Sequence, residues 1–127
     1  MFINYFNGGI YLEDISKTKV DIITNTLQEK KAKDIKILDI RELSILSDYF
    51  IIATGTSTTH VQSLCEHIEE NMNKEGYYLH HKEGFRNGRW ILMDYYDVVV
   101  HIFYEDERKF YNLERLWVDA KTLTVES

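Results

Sequence analysis

The chain has 127 residues, 15 Lys and Arg against 21 Asp and Glu, a formal net charge of -6, one Cys, no Pro and 44% hydrophobic residues. A chain of that size buries about two-thirds of the surface it exposes when unfolded, enough for one core without disulfide or metal staples. A single cysteine excludes an intramolecular disulfide and a cysteine-rich zinc site. No run approaches the roughly 18 apolar residues of a membrane span, and the opening Met1–Asn7 lacks the basic and apolar regions of an export signal, so a cytoplasmic setting without membrane partners is expected.

Residues 1–15, broken by Gly8-Gly9, show no sustained period and read as an irregular leader. From Ser16 to Lys33, Val20, Ile23, Leu27 and Ala32 recur near helical spacing with charged residues between them, which predicts an amphipathic helix. Asp34 to Ile40 opens with strict alternation and predicts a strand with one wet face. Tyr49 to Thr54 is apolar on both parities, the pattern of a strand covered on both sides. A turn, Gly55-Thr56-Ser57, leads into the clearest helix, Thr59 to Glu75, with Val61, Leu64, Cys65, Ile68 and Met72 on one stripe and Gly76 as its stop. Three strands follow, Tyr77–Phe85, Arg89–Tyr95 and Asp97–Tyr104, the first pair joined through Asn87-Gly88 as a type I′ hairpin. A short helix over Arg108–Lys121, carrying Phe110, Leu113, Leu116 and Trp117, closes a domain spanning 16–121, and 122–127 form a tail. The order predicts an α/β fold with a mixed five-stranded sheet.

Five strands spaced about 4.8 Å apart make a sheet about 24 Å wide, whereas one helix covers about 10 Å. Two long helices therefore cover one face. Yet Trp90-Ile91-Leu92-Met93 and Val98 to Phe103 are apolar on both parities, so the second face also carries apolar side chains and part of it is expected to stay open for a protein partner. The acidic balance favours a basic protein partner over sequence-specific nucleic acid. Stacking of Tyr77, Tyr78, Tyr95 and Tyr96 on RNA lacks an accompanying basic run.

Catalytic readings are weaker. Gly55-Thr56-Ser57 lacks the Lys of a phosphate-binding loop and reads as a helix cap. Asp39, Asp48, Asp94 and Asp97 are candidates for a divalent metal in nucleotidyl transfer, but Asp94 and Asp97 flank a turn, where Asp is favoured for its backbone hydrogen bonds. His60 and His67 are seven apart, His80 and His81 point to opposite faces, and His101 lies in an apolar run, so the histidines do not converge on a metal. Cys65, on the apolar stripe, reads as a buried small hydrophobe. No cofactor and no metal are expected.

Ser47 to Ser57, then His60-Val61, Glu83-Gly84, Trp90 to Tyr95, Asp97 to Phe103, Arg108, Phe110-Tyr111, Leu113-Glu114 and Leu116-Trp117 together resemble the Iojap-like ribosomal silencing factors, over about residues 18–120. The resemblance implies a nucleotidyltransferase-like sandwich without the catalytic carboxylates and a non-enzymatic role. It implies binding to the large ribosomal subunit through ribosomal protein L-fourteen, obstruction of the small subunit, repression of translation when nutrients fall, and a tendency to homodimerise. By the same resemblance the contact role falls to Trp90, Leu92, Asp94, Tyr95 and Asp97, with Val98 and Val100 as apolar support and Trp90 as the anchor. The family usually has Gly between the two aspartates of the hairpin; here Tyr96 stands there, and a different turn is expected because Tyr tolerates positive φ poorly. The alternatives are a metal-dependent nucleotidyltransferase-like enzyme around Gly55, Ser57 and the aspartates, and a dimeric scaffold whose sheet pairs only with itself.

Overall fold

A computed structural model describes residues 3–6, 9–12, 14–110 and 121–124, with side chains described for 14–107. The first long helix, α1 (Ile15–Glu29), starts where Asp14 accepts the Lys17 N–H at 3.2 Å. It turns Val20, Ile23 and Leu27 inward, as their spacing requires. The second, α2 (Thr58–Lys74), is capped by Ser57, whose Oγ accepts the His60 N–H at 3.0 Å. Its stripe Val61, Leu64, Cys65, Ile68 and Met72 is wholly buried, and the chain leaves it through Gly76 at φ +81°.

The five expected strands are present, as β3 (Lys33–Asp39), β4 (Tyr49–Gly55), β5 (His81–Glu83), β6 (Trp90–Asp94) and β7 (Val98–Tyr104). A further strand, β8 (Lys121–Thr124), joins them, giving the order β5-β6-β7-β4-β3-β8. The β4–β7 pair is parallel and the other pairs are antiparallel. Residues 121–124 were expected at a helix end and in a tail; their β-branched threonines suit a strand, but four residues are too few to display a period. The leader also differs from expectation: β1 (Ile3–Phe6) and β2 (Gly9–Leu12) pair as a separate two-stranded antiparallel unit. The closing helix is described as α3 (Glu105–Phe110); the expected positions of Leu113, Leu116 and Trp117 lie outside the described residues.

Both long helices pack on one face of the sheet. Ile37, Ile51, Val100 and Met93 line up across four strands on that face, with Ala53, Ile102 and Ile91 in the next row, and all are buried with the helix stripes in one core. The opposite parity forms a second, smaller core of Leu38, Ile40, Ile52 and Phe103, against which Phe50 and Trp90 are half-buried. Apolar residues on both parities of β4 and β7 thus reflect two cores of unequal size. Among the described residues no helix is long and apolar enough to cross a membrane.

The β5–β6 connection is not the expected two-residue hairpin. Asn87 does not take a positive φ; Gly84 and Gly88 do, and the Gly88 N–H closes the loop on the Gly84 carbonyl at 3.0 Å. Gln62 on α2 pins the loop by donating to the carbonyls of Phe85 (2.8 Å) and Arg86 (3.2 Å). A Cβ on Gly84 would stand 2.0 Å from the Trp90 carbonyl oxygen, so only glycine lets the loop approach β6 this closely.

Candidate functional site

The register of the sheet fixes what the second face displays. One cross-strand row reads Leu38, Phe50, Val99, Asp94 and His81; the next reads Lys36, Ile52, His101, Leu92 and Glu83; a third reads Thr54, Phe103 and Trp90. Trp90, Leu92, Val99 and Phe50 are half-buried on this face, and Asp94 stands at one end of it. The Trp90 ring stacks on Phe103 with centroids 5.0 Å apart, and its Nε1–H donates to His101 Nδ1 at 3.1 Å.

That bond fixes the histidine tautomer. With Nδ1 accepting, the proton of the neutral ring sits on Nε2, which is buried without a hydrogen-bond partner among the described residues. Burial among Phe50, Phe103 and Trp90 disfavours the charged ring and pulls the His101 pKa from 6.5 down to about 4. His101 is therefore a neutral spacer that orients the indole from below, and among the described residues nothing is hydrogen-bonded to its Nε2 for it to activate.

The sequence-predicted contact residues divide by parity. Trp90, Leu92 and Asp94 share the second face. Val98 and Val100 do not: both are wholly buried under the helices, and Val99 takes the outward position instead. Tyr95 is a correction of the same kind. Its ring is fully buried in the large core, with its hydroxyl unpartnered among the described residues, and burial raises its pKa well above the usual phenol range. A partner reaches none of these three in this structure.

The β6–β7 turn keeps a left-handed residue despite losing glycine. Tyr96 sits at φ +73°, and its N–H donates to Asp94 Oδ1 at 2.7 Å. Its ring stacks on His80 with centroids 4.4 Å apart. Lys19 on α1 reaches across to donate to the Tyr95 carbonyl (2.9 Å) and to Asp97 Oδ1 (2.7 Å). These contacts offset the roughly 1 kcal/mol that a left-handed non-glycine residue costs. Asp97 is thus an ion-paired anchor of the turn.

The catalytic candidates are occupied otherwise. Asp39 holds Arg41 through both oxygens (2.9 and 2.7 Å), Asp48 lies 2.8 Å from the Ser16 hydroxyl, Asp97 pairs with Lys19 and Asp94 caps its turn. In the Gly55 to Ser57 turn, the Thr56 N–H donates to His60 Nδ1 (3.0 Å), while His60 Nε2 reaches the Lys30 carbonyl (2.9 Å). Backbone donors that a phosphate needs are engaged there by a side chain. Among the described residues no group of three or more His, Cys, Asp or Glu is placed to hold a metal ion. Burial pushes the Cys65 thiol up to about 12, which suppresses its thiolate.

The sequence model of one protein family, described as "Ribosomal silencing factor during starvation", matches residues 13–127. The ribosomal silencing factor of Bacillus subtilis (strain 168) is 41% identical over 104 residues, covering 82% of this chain and 88% of that protein. The chain belongs to the ribosomal silencing factor family. A crystal structure of a Chromobacterium violaceum protein superposes on this silencing factor with a TM-score of 0.80 at 29% identity, covering 91% of this chain and 94% of that one. The chloroplastic Iojap protein of Zea mays is 33% identical over 98 residues, covering 77% of this chain and 42% of that protein. A mouse relative named "Mitochondrial assembly of ribosomal large subunit protein 1" is 27% identical over 111 residues, covering 80% of this chain and 46% of that protein. The family names describe a regulatory factor.

Signals missed in the sequence are those set by register. Val98-Val99-Val100 has no alternation, so nothing local says which valine faces out. Lys19 is missed as well, because its partners at Tyr95 and Asp97 are far along the chain.

Proposed function

We propose that this silencing factor binds the large ribosomal subunit through ribosomal protein L-fourteen and occupies the surface on which the small subunit docks, repressing translation under nutrient limitation without transforming a substrate. The observation that carries the reading is the half-buried strip of Trp90, Leu92, Val99 and Phe50 with Asp94 at its end. Apolar area gives affinity and the carboxylate gives polarity toward a basic protein. The family description names starvation, and the mouse relative is named for the large ribosomal subunit, which fits this partner. Trp90 is the anchor, since interface energy concentrates in aromatic residues seated in dry surroundings.

The test is cosedimentation of the full chain with isolated large subunits, alongside a subunit-joining assay. The wild type is expected to pellet with large subunits and to slow joining. Trp90→Ala combined with Asp94→Lys is expected to abolish both. Leu92→Glu, which leaves both partners of the Trp90–His101 hydrogen bond in place, is expected to weaken both as well, and thermal melts of every variant guard against loss of folding. Joining at normal speed in saturating factor refutes the proposal, and full binding by folded variants refutes the site.

A further inference from the structure

The connection between β3 and β4 turns apolar side chains outward on a fixed backbone. Leu43 and Ser44 N–H both donate to the Ile40 carbonyl at 2.9 Å, and Leu46 N–H donates to Ser44 Oγ at 3.1 Å. Arg41 N–H donates to Asp39 Oδ1 at 3.1 Å, and the Ser47 hydroxyl ties the far end to the Tyr96 carbonyl at 3.2 Å. Nevertheless Ile45 is as exposed as in an extended chain, Leu46 is 83% exposed and Leu43 45%. Tyr96, 60% exposed across that last hydrogen bond, extends the same apolar surface onto the β6–β7 turn.

Among the described residues the charges around it are mostly acidic. Glu42 lies within the connection, Asp48 follows it, and Asp94 and Asp97 flank Tyr96. The cations at this end, Arg41 and Lys19, are already paired at 2.7 Å with Asp39 and Asp97. A second copy meeting this surface would oppose carboxylates with carboxylates, and a nucleic-acid phosphate would do the same. Lysine and arginine side chains offer the complement, apolar stems for Ile45 and Leu46 and charged tips for the carboxylates.

We propose that the 41–47 connection and Tyr96 form a second docking element that seats on a basic protein surface of the large ribosomal subunit. This rests on the reading of the factor as a large-subunit binder and extends the contact from the sheet face to the end of the sheet. The backbone hydrogen bonds hold the apolar side chains ready before contact, which lowers the ordering cost of docking.

The test compares the wild type, Ile45→Asp with Leu46→Asp, and Ile45→Ser with Leu46→Ser, as full chains pelleted with isolated large subunits, with thermal melts and light scattering on each. Both double variants are expected to melt like the wild type, because the replaced side chains make no buried contact. Both are expected to bind more weakly, the Ser pair at least tenfold and the Asp pair by less, because its added carboxylates meet a basic surface; a larger loss for the Asp pair would overturn the basic partner. If the wild type itself does not pellet, the large-subunit reading fails and this element falls with it. If the wild type pellets and the folded variants pellet equally well, the docking element alone is overturned. If the variants pellet normally but lose a dimer seen for the wild type, a second copy is the occupant and the proposal is equally overturned.

Discussion

His101 gives the sharpest quantitative handle on the second sheet face. The residue is 5% exposed and its ring stays neutral until about pH 4, whereas the same residue in an unfolded chain titrates near 6.5. The folded-state pKa is therefore depressed, and the stability associated with it is full above about pH 6.5 and is lost as pH falls toward the folded value. Between about pH 7 and about pH 5 the unfolded chain gains nearly one proton here that the folded chain refuses, so linkage predicts a loss of about 2 kcal/mol. His101→Phe removes the titration. It also leaves the Trp90 indole N–H without its acceptor, a cost of roughly 1–3 kcal/mol that does not change with pH. Urea unfolding of both proteins at several pH values separates the two effects: carboxylates titrate in both and cancel in the difference. The stability gap should narrow by about 2 kcal/mol from about pH 7 to about pH 5. A gap that stays constant across that range would mean that His101 is open to water in the folded protein, and the account of the aromatic cluster would be wrong.

Two further predictions concern the large core and its loops. Gly84→Ala combines a left-handed φ with a methyl driven into the Trp90 carbonyl, and should cost about 2 kcal/mol or more; Gly76→Ala, at a similar φ but with nothing within 4 Å, should cost only about 1 kcal/mol by thermal melting. Equal losses would refute the close approach. Cys65 should resist a thiol reagent at about pH 8 in the folded protein and react at once in denaturant, since burial holds its thiol up to about 12; rapid labelling of the native chain would contradict that burial.

The residues that carry their own period could be read directly. The α2 stripe, the Gly76 stop and the doubly covered β4 follow from spacing alone. Asn87-Gly88 misled because the decisive contacts are remote: Gln62 holds the loop by carbonyls, and Gly84 supplies the left-handed step that a local pattern assigns to Asn87. The candidate site came from the family resemblance, and the structure places its Trp90, Leu92 and Asp94 on one face. Tyr95 follows Asp94 and so faces the other way, which the resemblance did not take into account. The faces of Val98 and Val100 were not legible, because the face of an unbroken apolar run is set by pairing with β6, and that pairing is set by the turn at Tyr96. Tyr96 itself defied the steric expectation. Its aspartate, lysine and histidine neighbours supply what a glycine would have supplied by lacking a side chain.

The outermost strand β5 bears on how neighbours can approach. It is three residues long, carries His81, Lys82 and Glu83, and gives way at once to a loop fastened to α2. So short and ionic a margin is a poor template for a visiting backbone. On this flank the sheet resists lengthening by a foreign strand, which favours recognition there through side chains.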